Sequence, residues 1–306
     1  MRIVLIGQAA FGESVLQELV NRGEEVVAVY TPPDAPGRSN PLKETAHKMG
    51  IPVRQPSRMR DPEVYEEFNK FEPDLGVMAF VTDIVPKRIL DCPRLRTIQY
   101  HPSLLPKHRG GSSINWSVIQ GETKTGLTIF WPDEGLDTGP ILLQNEVEIS
   151  PDDTVGSLYY NKLFPLGVEA MMEAIDLIKQ ENAPKIPQDE SQATYEGLCR
   201  EKDALIDWSQ PVKQVYDLIR GTNPQPGATT RFRGKKLKIY DCELLKKPQG
   251  RPGEIVEVRD HGFVVAANGG SILVKRIQPE GTAKTPAPEF IKSQKLKVEE
   301  RLGQAI

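Results

Sequence analysis

Arg2-Ile-Val-Leu-Ile-Gly7, then Phe11 to Asn21, then Glu25-Val-Val-Ala-Val-Tyr30 is the stretch from which the fold is read. The first segment is apolar and rich in β-branched residues, and Gly7 ends it. In the second, Val15, Leu16, Leu19 and Val20 recur at helical spacing. The third is strand-like again. Working outward, residues 31–41 are rich in Pro and Gly and predict a loop. Leu42 to Met49 reads as helix, Ile51 to Arg54 as a short strand and Pro62 to Phe71 as helix. Leu75 to Phe80 and Leu95 to Tyr100 read as strands. Strand alternating with helix predicts an α/β fold built on a doubly wound, mostly parallel sheet. Leu127 to Trp131 and Ile141 to Ile149 follow with little room for a helix between them, so a hairpin at one side is expected. Thr154 to Gln180 reads as one long amphipathic helix.

Residues 181–204 look like a linker. After a short helix, Val212 to Arg220, the texture changes. Ala228 to Arg233, Lys236 to Glu243, Gly253 to Val258, Gly262 to Ala267 and Ser271 to Ile277 are short β runs parted by Gly, Pro and Asn. They predict a small barrel domain of the oligonucleotide-binding (OB) kind. Two domains are therefore expected, 1–203 and 204–306. Charge divides along the same line. From residue 205 onward there are 18 Lys and Arg against 11 Asp and Glu, and the first 204 residues hold 21 against 31. A basic tail domain on an acidic body could face an anionic partner or simply a solvated surface.

Several classes are disfavoured. The longest apolar runs are strand-sized, so no membrane span is expected. The chain opens directly into a strand, so no signal peptide is expected. Cys92, Cys199 and Cys242 lie far apart without metal or disulfide spacing, which fits idle thiols in a reducing cytoplasm. With 4 His in the chain and no Cys/His cluster, no metal site is expected. Gly7-Gln-Ala-Ala-Phe-Gly12 has the wrong spacing for a dinucleotide fingerprint, and no acidic residue ends the second strand. A tight strand-to-helix turn is the better reading.

Chemistry concentrates in two stretches, Gln99-Tyr-His-Pro-Ser-Leu-Leu-Pro106 and Gly135-Leu-Asp-Thr-Gly-Pro140. Pro102 and Pro106 stiffen the first. His101 and Asp137 each follow a strand-like run and can meet at one edge of a sheet, a usual place for chemistry in α/β proteins. A structural histidine and a turn-forming aspartate would fit the same spacing.

These two stretches resemble the paired signatures of the 10-formyltetrahydrofolate-dependent formyltransferases. The similarity extends to Ile6-Gly-Gln8, His101 through Trp116, Ile129-Phe-Trp131, Pro151 to Val155, Ala193-Thr-Tyr-Glu-Gly197 and Leu273 to Ile277. It is nearest to the N-terminal hydrolase domain of 10-formyltetrahydrofolate dehydrogenase. Asn223-Pro-Gln-Pro-Gly-Ala228 echoes methionyl-tRNA formyltransferase, which usually has Trp in place of Gln225.

The resemblance implies roles. His101 and Asp137 take the catalytic positions. Asp83, Ile84 and Val85 fall where the family's loop backbone holds the pterin. Ser103, Leu104, Leu105 and Pro106, together with Asp137, fall where folate contacts are expected. The implied co-substrate is 10-formyltetrahydrofolate, without a metal. A formyl group on a tertiary nitrogen must be attacked by water, an amine or a thiol. The resulting oxyanion needs a donor, and the protons need a relay.

Two departures narrow the acceptor. The transferases usually carry Asn where Gln99 stands, an amide extended here by about one C–C bond, ~1.5 Å. Gln99 keeps the amide that could hydrogen-bond the formyl oxygen and is counted with His101 and Asp137 as a catalytic candidate. The loop from Thr31 to Leu42 is short and carries a single base, Arg38, where methionyl-tRNA formyltransferases usually have a longer basic loop. With the chain ending at Ile306, the dehydrogenase's carrier and aldehyde dehydrogenase domains are not expected in it. The expected activity is removal of the formyl group of 10-formyltetrahydrofolate, by hydrolysis or transfer, in the cytoplasm. Formylation of initiator methionyl-tRNA is the alternative, and a carrier thiol is a further possible acceptor.

Overall fold

The computed structural model describes residues 1–247 and 250–303. In chain order the elements are β1 (Arg2–Gly7), α1 (Ala9–Asn21), β2 (Glu25–Tyr30), α2 (Pro41–Lys48), β3 (Val53–Arg54), α3 (Pro62–Lys70), β4 (Leu75–Ala79), α4 (Lys87–Leu90), β5 (Thr97–His101), β6 (Arg109–Gly110), α5 (Ser113–Ile119), β7 (Lys124–Phe130) and β8 (Ile141–Glu148). Then come α6 (Val155–Leu158), α7 (Phe164–Lys179), β9 (Tyr195–Glu196), α8 (Val212–Gly221), β10 (Ala228–Phe232), β11 (Lys235–Leu245), β12 (Ile255–Arg259), β13 (Gly262–Ala267), β14 (Gly270–Pro279), β15 (Thr285–Pro286) and α9 (Ala287–Gln294). They form two compact units. One comprises 1–110, 126–147 and 161–195; the other comprises 111–125, 148–160 and 196–303 of the described residues.

The first unit is the expected α/β layer. Its sheet has the order β3-β2-β1-β4-β5-β7-β8. β1 pairs in parallel with β2 and β4, β2 with β3, and β4 with β5, whereas β5 and β7 are antiparallel. Alternation along β1 sets the layers. Ile3 and Leu5 face α1 and α7, packing with Val15, Leu16, Leu19 and Ile175. Val4 and Ile6 face the opposite side, packing with Phe68 of α3 and Ile89 of α4. Strand order reverses between β1 and β4, and such a switch point opens a crevice beyond the carboxyl ends of the strands. Gly7 is required there, because a Cβ would run into the carbonyl oxygen of Ala79 at the end of β4.

Two expectations are corrected here. The run from Thr154 to Gln180 is not one regular helix: a π-helical turn, Tyr159–Leu163, separates α6 from α7. The physical reason is Pro165, which lacks an N–H and whose ring crowds the carbonyl four residues earlier, so the backbone widens locally. Nor is 181–204 a free linker. Ile186 bridges Ile141, Arg109 N–H donates to the Thr194 carbonyl, and buried Arg109 binds Gln188, Glu190 and Tyr195. Pro and polar composition is shared by linkers and by extended chain pinned through side chains.

The second unit holds an antiparallel sheet in the order β10-β11-β14-β13-β12, with β15 added to β14. Register shifts between Ile239 and Asp241 and again before Cys242 bend β11, as bulges do. Arg301 bridges Glu254, and Leu302 bridges Phe232 of β10. The terminal segment thus joins β10 to the chain entering β12, giving the OB-like barrel expected from the sequence. Ile239, Phe263, Val265, Ile272 and Val274 fill it, with Val215 and Ile219 of α8 packed on them.

Candidate functional site

His101 is the last residue of β5 rather than part of the loop after it. Tyr100 packs among the α1 and α7 side chains, so Gln99 and His101 face the opposite side, two residues apart on one strand. The backbone of Gln99 lies opposite Met78 and Phe130, and that of His101 opposite Thr128. Phe130 ends β7, so the 131–140 loop leaves the sheet beside Gln99. It must turn back over the face to bring Asp137 to His101.

The loop is built for that return. Asp133 Oδ1 accepts from the Gly135 amide (3.0 Å) and the Thr138 hydroxyl (2.6 Å), a turn closed by a side chain. Trp131 N–H donates to the Pro140 carbonyl, 2.9 Å, closing the loop's base. Gly139 lies against the carbonyl of Trp131, with no room for a Cβ. Asp137 is 8% exposed and has φ +56°, in the left-handed region.

His101 Nδ1 stands 3.6 Å from Asp137 Oδ2, with the histidine 5% exposed. Its Nε2 is 2.8 Å from the carbonyl oxygen of His108. A carbonyl can only accept, so the proton of the neutral ring belongs on Nε2 and the bare Nδ1 faces the carboxylate. The Gly110 amide donates to Asp137 Oδ2 at 2.8 Å, leaving Oδ1 to accept from a substrate or a water. A protonated imidazole would present an N–H from Nδ1 into the same space.

The turn behind His101 is held through Thr128, which is fully buried. Its hydroxyl donates to the Ser103 carbonyl (2.7 Å) and accepts from the Leu105 amide (3.1 Å) and from Gln144 (2.9 Å). Gln144 also donates to the Leu105 carbonyl, 2.8 Å. The Ser103 hydroxyl donates to the Lys107 carbonyl, 2.6 Å. Leu105 is buried, and Leu104 lies close to Gly126. Ser103 to Leu105 are therefore largely committed to fixing the turn that Pro106 ends.

A cleft of about 270 Å³ opens at the switch point, lined by Gly7, Gln8, Thr31, Met59, Phe80 and Asp83 among others. Gln8 donates to Thr82, 3.1 Å, across it. The Asp83 carboxylate accepts from the amides of Met59 (2.7 Å) and Ile84 (2.8 Å), tying two loops together. Ile84 is 71% exposed, whereas Val85 is buried beside Ile89. Of the three residues, Asp83 lines the crevice, together with the exposed ring of Phe80; Ile84 and Val85 follow it in the chain but do not line this cleft. A larger groove, about 480 Å³, lies on the second unit between Glu201, Thr229, Arg231 and Lys236. It contains none of the residues singled out from the sequence.

The structure also brings in residues that the sequence did not single out. Arg109 is fully buried. Its guanidinium donates to Gln188 Oε1 (3.1 and 2.8 Å) and pairs with both carboxylate oxygens of Glu190 (2.9 and 2.7 Å). It lies 5.2 Å from the Tyr195 ring centre. That pairing holds the Glu190 carboxyl below its usual range. Gln188 Nε2 in turn donates to the carbonyls of Asp137 (2.9 Å) and Gly139 (2.7 Å). The one available signal was that Arg109 and Tyr195 both fall inside the stretches quoted for the resemblance. Among the described residues no group of three His, Cys, Asp or Glu gathers to hold a metal ion, and no helix is long and apolar enough to cross a membrane.

A doubly wound sheet with a His–Asp pair at the end of β5, followed by a small antiparallel barrel, defines a two-part α/β class. Residues 1–175 match the formyl transferase family and residues 199–295 match the formyl transferase C-terminal domain, and the chain belongs to this family. It is 42% identical over 308 residues to the cytosolic 10-formyltetrahydrofolate dehydrogenase of Xenopus tropicalis, covering 96% of this chain and 34% of that protein. It is 39% identical over 309 residues to the methionyl-tRNA formyltransferase of Geotalea daltonii (strain DSM 22248 / JCM 15807 / FRC-32), covering 99% and 98% respectively. The fold is shared with HypX from Aquifex aeolicus in complex with tetrahydrofolic acid (TM-score 0.71, 20% identity, 98% of this chain and 48% of that one). It is also shared with WlaRD, a sugar 3N-formyl transferase (TM-score 0.67, 18% identity, 92% and 99%).

Proposed function

We propose that this chain removes the formyl group of 10-formyltetrahydrofolate, by hydrolysis or by transfer to an acceptor, using His101 and Asp137. The observation that carries the reading is the meeting of His101 Nδ1 and Asp137 Oδ2, 3.6 Å apart, on the sheet face that Gln99 shares. Similarity over nearly all of this chain to a 10-formyltetrahydrofolate dehydrogenase, about a third of whose length it spans, and to a methionyl-tRNA formyltransferase supports it.

Water or an amine attacks the formyl carbon, and one of its protons passes to Asp137 Oδ1, directly or through a water. The carbonyl π pair moves to oxygen, and the imidazolium N–H of His101 stabilises the resulting oxyanion. The Gln99 amide is a second donor for it, from two residues along the strand. The proton held at Asp137 goes to the departing nitrogen as the C–N bond breaks. The products are tetrahydrofolate and either formate or a formylated amine. The loop carrying Asp83, Ile84 and Val85 takes the flat pterin with its backbone groups, Asp83 lining the cleft and Phe80 beside it. Ser103, Leu104, Leu105 and Pro106 form the rigid floor. Domain assignments follow as 1–203 for formyl folate chemistry and 204–306 for the barrel.

The acceptor is water in the first reading. Methionyl-tRNA formylation is the second, favoured by a match that covers 98% of that relative's length. Tetrahydrofolate release is followed by absorbance, with and without charged initiator tRNA. Release without tRNA supports hydrolysis, and release only with tRNA, with formyl on the methionine, supports the transferase. Silence in both defeats both readings.

A further inference from the structure

We propose that Gln188 is the positioning residue for Asp137, and that Arg109 orients it for that task. The inference rests on the reading that Asp137 takes part in formyl removal.

A glutamine amide has one accepting and one donating end. Two guanidinium N–H groups of Arg109 converge on Oε1 at 3.1 and 2.8 Å, so that end can only be the oxygen. The NH₂ group must then point the other way, and there it meets two carbonyls of the 135–140 loop, Asp137 at 2.9 Å and Gly139 at 2.7 Å. The orientation is forced by a side chain that is itself fully buried and whose remaining donors are taken by Glu190 and Tyr195.

Asp137 needs such an anchor. At φ +56° it holds a backbone conformation that residues with a side chain seldom adopt, and such conformations persist where surrounding contacts impose them. Rotation of its peptide toward the common region would carry its carboxylate off the Gly110 amide and away from His101. Gly110 directly follows Arg109. The amide of the second residue holds the Asp137 carboxylate at 2.8 Å, while the side chain of the first, through Gln188, holds the Asp137 backbone. One dipeptide thus fixes both ends of the aspartate.

The test compares Gln188→Met, which keeps length but removes the amide, with Gln188→Glu, which still pairs with Arg109 but offers no donor to the loop. Both are expected to lower kcat by up to about a hundredfold, as misplacement of a reacting group by about an ångström can. KM for 10-formyltetrahydrofolate should stay within about twofold, because substrate contacts are untouched. The second readout is the Gly110 amide resonance in glycine-labelled protein. It should move in Asp137→Asn, which replaces the carboxylate that accepts from this amide, and move likewise in both Gln188 variants. A folded Gln188→Glu with undiminished kcat and an unmoved Gly110 resonance overturns the proposal, as does a loss confined to KM. If Gln188→Met does not fold, Gln188→Glu alone decides. Full turnover by Asp137→Asn would instead defeat the underlying reading of the site, and the Gly110 resonance would still show whether Gln188 positions the loop.

Discussion

Asp137 and His101 are coupled by position more than by a direct hydrogen bond: 3.6 Å separates them, with each held by a backbone group of residues 108–110. Replacing either with alanine should reduce tetrahydrofolate release by at least about a thousandfold if both act in the proton relay and oxyanion steps. Circular dichroism should show the fold intact, because neither residue belongs to the main apolar clusters. The thiols make a contrasting prediction. Burial pushes the Cys199 thiol up to about 11 and raises those of Cys92 and Cys242. At pH 8 only about one Cys199 in a thousand is then a thiolate, the reactive form. Iodoacetamide should label the native protein slowly and the unfolded chain at all three positions, as mass spectrometry would record.

At the scale of elements, the site depends on one hydroxyl and one pinned segment. Thr128 in β7 accepts two hydrogen bonds and donates one at a fully buried position. Thr128→Val keeps the shape and strips the polar group, leaving the Leu105 amide and the Ser103 carbonyl short of a partner. A loss of about 2–3 kcal/mol is expected in urea unfolding. Segment 188–195 is held partly by Glu190 on Arg109. The folded-state pKa of Glu190 lies below its ordinary value, so the stability it adds is present above the unfolded carboxylate pKa of about 4.3. That stability is lost as pH falls through the lowered folded value. The urea-midpoint difference between wild type and Glu190→Gln should therefore favour wild type at pH 6 and shrink below pH 4.

At the scale of the whole molecule, bases of the second unit pair with acids of the same unit. Glu201 binds Lys236 and Lys238, Arg233 binds Glu300, and Arg259 binds Glu257, so several bases of the barrel already have acidic partners. Hydrolysis of a free formyl folate should therefore change little, by less than about twofold, between 50 and 200 mM salt. If initiator tRNA is the acceptor, kcat/KM should instead fall steeply, because each phosphate contact releases counterions. Steady-state rates with each acceptor across that range distinguish the two.

The α/β layer was legible because apolar alternation and helical spacing are local. Arg2–Gly7, Glu25–Tyr30 and Gly262–Ala267 could be bounded to within about a residue from their own composition. His101 and Asp137 were legible as residue types in stiff, glycine-flanked stretches. Their meeting was decided by tertiary structure, since antiparallel pairing of β5 with β7 starts the Asp137 loop beside Gln99 and only its folded-back path reaches the histidine. The π turn at Tyr159–Leu163 was missed because a helical face survives a single widened turn. The role of 188–195 was missed because its contacts are formed by side chains from residues about eighty positions apart. Periodicity along a chain encodes which face is buried. It carries no record of which buried arginine will close on which distant glutamine.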